Sequence, residues 1–127
     1  MPAIAKLFIC IGSLTALLAV IIGAFGAHGL ENMMTEDLMD TYKTSVEYHF
    51  YHALGLILIG ILLIQLPDLS LLRIAGWMMF AGIIIFSGSL YILSITGIKW
   101  LGAITPIGGT AFIISWLLTF LAVYKHA

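Results

Sequence analysis

Long apolar stretches, separated by short charged segments, dominate the hydrophobic pattern of this chain. Charged residues divide it into four stretches of roughly 20 mainly apolar residues, the length with which a helix crosses a hydrocarbon core of about 30 Å. The predicted spans are residues 7–28, 48–66, 74–97 and 100–124. Segments such as "GLILIGILLIQL" lack the alternation of β-barrel strands, so the pattern predicts helices.

Short connections determine how these spans are arranged. The segment "PDLSLLR" joins the second span to the third, and "GIK" joins the third to the fourth. Connections this short require neighbouring helices to run in opposite directions. We therefore expect an all-α, polytopic membrane protein, an antiparallel four-transmembrane-helix bundle that forms one domain over residues 1–127.

The connection between the first two spans, Glu31 to Glu47, holds five of the six acidic residues. Thr35 followed by Glu36 and Asp37 is typical of a helix N-cap and its first turn. Apolar residues then recur at helical spacing, which predicts an amphipathic interfacial helix between spans 1 and 2. The segment would serve either as a solvated acidic cap or as a lid or docking surface that uses its methionines.

Composition and charge agree with a membrane location. The sequence is 62% apolar and 9% charged, whereas ordinary soluble domains carry about 25% charged residues. The net charge of −1 gives no nucleic-acid footprint, so the expected surroundings are the lipid bilayer. Lys6, Arg73 and Lys125 lie on one side and Lys43 and Lys99 on the other, which favours cytoplasmic N and C termini.

Small residues and one proline indicate where the helices approach each other, because lipid gives helices no hydrophobic reason to associate. The neighbours would be helices of the same chain or of a second copy. Proline inside the fourth span would kink or loosen it. The predicted packing residues are Gly23 and Ala27 in the first span, Ser87 and Gly88 in the third, and Pro106, Gly108 and Gly109 in the fourth.

Titratable side chains are concentrated in "VEYHFYHALGL", at the start of the second span. His49 and His52 are three residues apart, so they share a helix face. In an antiparallel hairpin the end of the first span lies level with the start of the second, which would bring His28 to the same site. The predicted ligand-binding set at this membrane boundary is His28, His52, His49, Tyr48, Tyr51 and Glu47.

Several kinds of chemistry could use such a cluster. Imidazoles bind metal ions, serve as axial ligands of haem and carry protons near neutral pH. Alternatively, the rings only bond backbone carbonyls and anchor the helix at headgroup depth. The sequence identifies no particular metal and no cofactor. It also lacks nucleophile-elbow, phosphate-loop, zinc-protease and dinucleotide motifs, so we expect no catalytic residue and no enzymatic activity.

Four motifs carry a family resemblance. They are "GAFGAHGL", "YHFYHALGL", "FSGSLY" and "GAITPIGGTAFIISW", in this order along nearly the whole chain. Together they resemble the small bacterial membrane proteins of the domain of unknown function 423 family. The resemblance implies a four-span protein of the inner membrane and transfers no activity and no catalytic residue. His28 and His52 stand inside the motifs that carry it.

Two functions from different classes are compatible with these observations. The first is a small binding or transport-assisting module that uses the histidine and tyrosine cluster. The second is an accessory or structural subunit of a larger membrane complex, with a membrane-protein partner or a second copy packed on its small residues. A channel ranks below both, because four spans without a central charged residue offer no evident pore.

Overall fold

Helices account for nearly all of the chain. The computed structural model describes residues 1–126, with the side chain of Ala27 left out. A π-helical turn, Ile83–Ser87, joins the third and fourth helices, and a 3₁₀ helix, Lys99–Ala103, precedes the fifth. The α-helices are α1 (Ala3–Gly29), α2 (Glu36–Gln65), α3 (Ser70–Gly82), α4 (Gly88–Thr96) and α5 (Thr105–Lys125).

Four helical segments are long and apolar enough to cross a membrane, as the charge spacing predicted. They are Ala3–Gly26, Glu36–Gln65, Ser70–Thr96 and Lys99–Lys125. The bounds differ most for the second segment, because α2 begins at Glu36, within the connection that precedes the predicted span. Thr35 caps this long helix and accepts a hydrogen bond from the Leu38 amide at 3.3 Å, which confirms the predicted N-cap.

The contacts between α1 and α2 run in opposite order along the two helices. Gly60 of α2 lies against Ala5 near the start of α1, whereas Gly26 near its end lies against the Tyr42 ring. Gly12 lies between them, where an added Cβ would come within 2.9 Å of the Ala53 carbonyl oxygen. Glycine therefore lets the two backbones approach closely in this hairpin.

One apolar core joins all four segments at the end of the molecule where both termini lie. Phe8 of α1 is fully buried there and meets Trp77 edge to face, with ring centroids 5.2 Å apart. Because each segment contributes to this core, it fixes the helices relative to one another at this end. The core residues are Ala5, Phe8, Leu56, Ile59, Leu63, Leu72, Ala75, Met79 and Ala122.

Hydroxyl groups and glycines join α5 to the helices that precede it. Ser115 donates to the Ala75 carbonyl at 2.6 Å, and the hydroxyls of Ser89 and Thr105 are 2.7 Å apart. Gly108 lies directly against the backbone of Phe86. This surface of α5 therefore combines close backbone contact with hydrogen bonds between helices.

The predicted packing residues differ in their surroundings. Gly23 faces Val46, and Ser87 is buried. A Cβ added to Gly109 would be 3.7 Å or more from the Phe86 ring. An added Cβ on Gly88 would meet nothing within 4 Å. The side chain of Ala27 lies outside the described residues.

The predicted kink at Pro106 is absent from α5. Pro106 is in the first turn of this helix, where its missing amide hydrogen removes no intrahelical bond. The interruption comes earlier, at the 3₁₀ helix Lys99–Ala103. The fixed φ of proline favours a position in the first turn of a helix. The α-helical pattern of the fourth span is therefore interrupted before Pro106 and not at it.

We predict that Gly108→Ala destabilises the fold by about 1–3 kcal/mol, because its methyl group would overlap the Phe86 backbone, which cannot move alone. Gly88→Ala is the matched control and should leave stability equal or raise it slightly, since its surroundings are open. Unfolding in mixed micelles, followed by circular dichroism, measures both. Equal stability of the two variants would contradict this account of the Gly108 contact.

Candidate functional site

His49 and His52 lie in the middle of α2 and not near its start. His49 is about 20 Å along the axis from Glu36, the first residue of the helix. Both imidazoles are buried, with 5% of His49 and 6% of His52 exposed. They are therefore set within the bundle, at a depth where polar groups need partners.

His28 does not join them. It is exposed at the end of α1, and Gly26, two residues before it, faces Tyr42. Because Tyr42 precedes His49 by two turns of α2, His28 and His49 are separated by about 13 Å along the helix axis. The sequence argument assumed that the second span begins at Tyr48, whereas α2 begins at Glu36.

His49 forms a polar bridge between helices. Its Nδ1 is 2.8 Å from the hydroxyl of Tyr91 on α4, and the two rings are in T-shaped contact with centroids 5.9 Å apart. Through this contact His49 connects α2 to α4.

Two serines reinforce this bridge one helical turn away. Ser45 donates to the Ser87 carbonyl at 2.8 Å, and Ser87 donates to the Ser45 carbonyl at 3.1 Å. Ser87 ends the π-helical turn, in which the backbone pattern of i to i+4 bonds is interrupted. The two hydroxyls therefore join α2 to the third span at this interruption.

Spacing explains why these four side chains meet. Ser45 and His49 are four residues apart on α2, and Ser87 and Tyr91 are four apart on the third span, so each pair occupies one helix face. Tyr42 extends the group, because its hydroxyl donates to the Ile22 carbonyl at 2.6 Å and its ring lies 5.7 Å from that of Tyr91. Sequence reasoning missed Tyr91 as a site residue, although this double four-residue spacing was a usable signal.

A cavity of about 580 Å³ lies beside this bridge, between α1 and α4 and next to the 3₁₀ helix. We call it the α1–α4 cavity. Its volume is within the range of small-molecule sites, about 300–1,000 Å³. The apolar lining is Leu18, Ile83, Ile84, Ile85, Ile92, Leu101 and Ile104, and the polar lining is Thr15, His49, Ser87, Ser89 and Tyr91.

His52 belongs to a different environment, on the side of α5. Its Nδ1 is 2.7 Å from the Tyr48 carbonyl, and because a carbonyl only accepts, this nitrogen carries the proton. The imidazole stacks on Phe112, with ring centroids 3.5 Å apart and planes at 9°. Phe86 stacks on Tyr48, and Trp116 lies 6.0 Å from the imidazole. His52 is thus part of an aromatic cluster.

Tyr51 and Glu47 lie on a third surface. Both are exposed, and they line a shallow pocket of about 280 Å³ with Gly23 and other small residues of α1. The ring of Tyr51 is 6.1 Å from that of Tyr48, which also belongs to the cluster of His52. The residues that were expected to form one site therefore lie in several separate environments.

The described residues contain no metal-binding group. Among residues 1–126, no set of three or more His, Cys, Asp or Glu side chains is arranged to hold a metal ion. The separation of His28 from the two buried histidines is one reason. His49 and Tyr91 instead form a pair of hydrogen-bonding groups at an apolar cavity.

We predict that Ser45→Ala and Ser87→Ala each destabilise the fold by about 1 kcal/mol, because each removes one hydrogen bond between helices. The double variant should depart from the sum of the two, because residues that contact each other in one hydrogen-bonded pair are energetically coupled. Ser13→Ala, on the exposed side of α1, is the control. Unfolding in mixed micelles tests this, and serine variants as stable as the control would refute it.

Comparisons with known proteins agree with the membrane character of the chain. A family described as protein of unknown function (DUF423) matches residues 22–109, which include the α2 and α4 residues of the site. The UPF0382 membrane protein YwdK of Bacillus subtilis is 54% identical over 121 residues, covering 95% of this chain and 98% of its own. The UPF0382 membrane protein SAB0533 of Staphylococcus aureus is 48% identical, covering 96% and 98%. No solved structure matches the chain.

Proposed function

This chain belongs to the DUF423 family, and from that premise we propose that it is a small binding module of the membrane. In this proposal the α1–α4 cavity takes up an apolar molecule from the bilayer, and His49 and Tyr91 bind the polar group of that molecule. The observation that carries the proposal is a hydrogen-bonded imidazole and phenol inside a cavity of about 580 Å³ with aliphatic walls. Sites for small molecules combine these two properties.

The position of the cavity in the membrane follows from a proposed arrangement of the spans. We place the four segments as an antiparallel transmembrane bundle, supported by the opposite order of contacts between α1 and α2. The acidic first turns of α2, around Glu36 and Asp40, then lie at the membrane surface. His49 lies deeper, so the cavity faces the hydrocarbon region, from which an apolar molecule enters sideways.

Photolabelling tests the binding proposal. In reconstituted vesicles, a long-chain alcohol with a diazirine beside its hydroxyl should label the peptides that contain Thr15 and Ile92, and excess unlabelled alcohol should remove that label. Gly88→Leu should abolish it, because Gly88 lines the cavity and has room for a side chain that fills it. Mass spectrometry of the digested protein identifies the labelled positions.

Gly29→Leu is the matched control, since Gly29 also has open surroundings but lies outside the cavity. The apolar groove near Met78 and Ile114 provides an internal control for labelling by bulk lipid, which competitor should not change. Equal labelling of the two leucine variants would refute the proposal. The alternative of an accessory subunit would then gain support if mild extraction recovers the chain in a heavier assembly.

We also propose that both termini are cytoplasmic and that the membrane is the plasma (inner) membrane. Lys6, Arg73 and Lys125 are at the end of the molecule that holds the termini, and the positive-inside rule directs this end to the cytoplasm. Acidic residues of the connection between α1 and α2 are at the other end.

Single cysteines in a Cys10→Ala background test this orientation. With intact protoplasts, a maleimide that does not cross membranes should modify Asn32→Cys, whereas His126→Cys should react only after lysis. The reverse pattern would overturn the orientation. Reaction of both cysteines from the same side would contradict the antiparallel four-span bundle itself.

A further inference from the structure

The aromatic cluster around His52 holds a hydrogen-bond acceptor and a hydrogen-bond donor that the described part of the chain does not pair with each other. We propose that two copies of this chain associate through this surface. In the dimer, Trp116 of each copy donates its indole N–H to Nε2 of His52 in the other copy. The α1–α4 cavity takes no part in this contact.

His52 presents the acceptor. Its Nδ1 donates to the Tyr48 carbonyl at 2.7 Å, so in the neutral imidazole Nε2 carries a lone pair and no hydrogen. Among residues 1–126, Nε2 forms no hydrogen bond, whereas every fully buried side-chain nitrogen and oxygen does. Nε2 therefore belongs to the 6% of His52 that is exposed. An imidazole that is more than nine-tenths buried thus leaves an unused acceptor at the surface of the molecule.

Trp116 presents the donor. Its indole is 41% exposed, and its N–H forms no hydrogen bond with any residue that the structure describes. The indole atoms nearest to Gly55 of α2 are Cζ2 and Cη2, so the carbon edge of the ring packs on that helix. Trp116 is nine residues before Lys125, the last residue of α5, or about 14 Å along the axis. Its N–H is therefore deeper than the headgroup layer in which tryptophans are enriched.

Both groups lie in segments that can cross the membrane, where lipid tails offer neither a donor nor an acceptor. Leaving a polar group without a partner in such surroundings costs free energy. An association that pairs the two groups would remove this cost for both of them.

A second copy carries the complement of each group. The imidazole and indole centroids are 6.0 Å apart, so the acceptor and the donor lie at the same depth. A two-fold axis along the membrane normal beside them would form both hydrogen bonds at once, as an isologous contact requires. Ile113 and Phe120, one turn before and after Trp116, are exposed and would add apolar packing around the two bonds.

Energy transfer between labelled copies tests the proposal. In a Cys10→Ala background, His126→Cys carries a donor or an acceptor fluorophore, and both populations are reconstituted in vesicles at increasing ratios of protein to lipid. We expect saturable energy transfer. Trp116→Phe retains an aromatic ring but loses both hydrogen bonds of the dimer, so it should raise the dissociation constant about tenfold. Trp100→Phe, the same change in the 3₁₀ helix, should leave the dissociation constant unchanged.

A mixture of two variants separates hydrogen bonding from packing. Copies with His52→Phe keep the donor, and copies with Trp116→Phe keep the acceptor. A mixed pair therefore retains one of the two hydrogen bonds, whereas each variant alone retains none. We expect the mixed pair to associate about threefold more tightly than either variant does with itself.

Energy transfer that never exceeds the value for randomly distributed copies would overturn the proposal. Association that Trp116→Phe leaves unchanged would overturn it as well, because the copies would then meet on another surface. Should His52→Phe not fold, the comparison of Trp116→Phe with Trp100→Phe decides the question without it.

Discussion

The lack of water in the hydrocarbon region is the constraint on which this structure depends. Buried side-chain hydroxyls must there be bonded by other protein groups. Ser45, Ser87 and Ser115 each donate to a carbonyl of another helix, at 2.6–3.1 Å. Among the residues that the structure describes, every buried side-chain nitrogen and oxygen has a partner. The hydrogen bonds that satisfy these hydroxyls are therefore also the links between helices.

The α1–α4 cavity results from a change in side-chain size along α1. At the end that holds the termini, the large ring of Phe8 fills the space against Gly76 and Trp77 of α3. Two turns farther along the same helix stands Thr15, whose hydroxyl bonds its own helix at Ile11. At the level of Thr15, this smaller side chain leaves the space between the helices open. Two turns earlier, the Phe8 ring fills the corresponding space. The core at one end and the cavity at the other are thus two parts of one interhelical seam.

Sequence predicted the number and type of the spans because the apolar length of a helix is set by the bilayer. It did not predict the level at which α1 ends against α2, since charge marks a membrane boundary and not the end of a helix. Because α1 ends beside Tyr42, His28 is separated from His49. It also missed Tyr91, for a related reason. Lipid-facing and buried sides of a membrane helix are both apolar, so hydrophobic periodicity does not reveal which side faces the protein. The polar residues Ser87 and Tyr91, four residues apart, were the only indication of that side. The predicted ligand set was therefore concentrated on α2, where the titratable residues are obvious.

The π-helical turn determines which residues of α4 face inward. One additional residue in a helical turn rotates everything that follows by about 100°. The three consecutive isoleucines of this turn, Ile83–Ile85, therefore act as a one-residue insertion that sets the angular phase of α4. Deleting a single isoleucine there would restore an uninterrupted α-helix and turn Tyr91 away from His49. The side of α4 that faces the cavity would turn by about 100°, although every side chain of α4 itself would be retained.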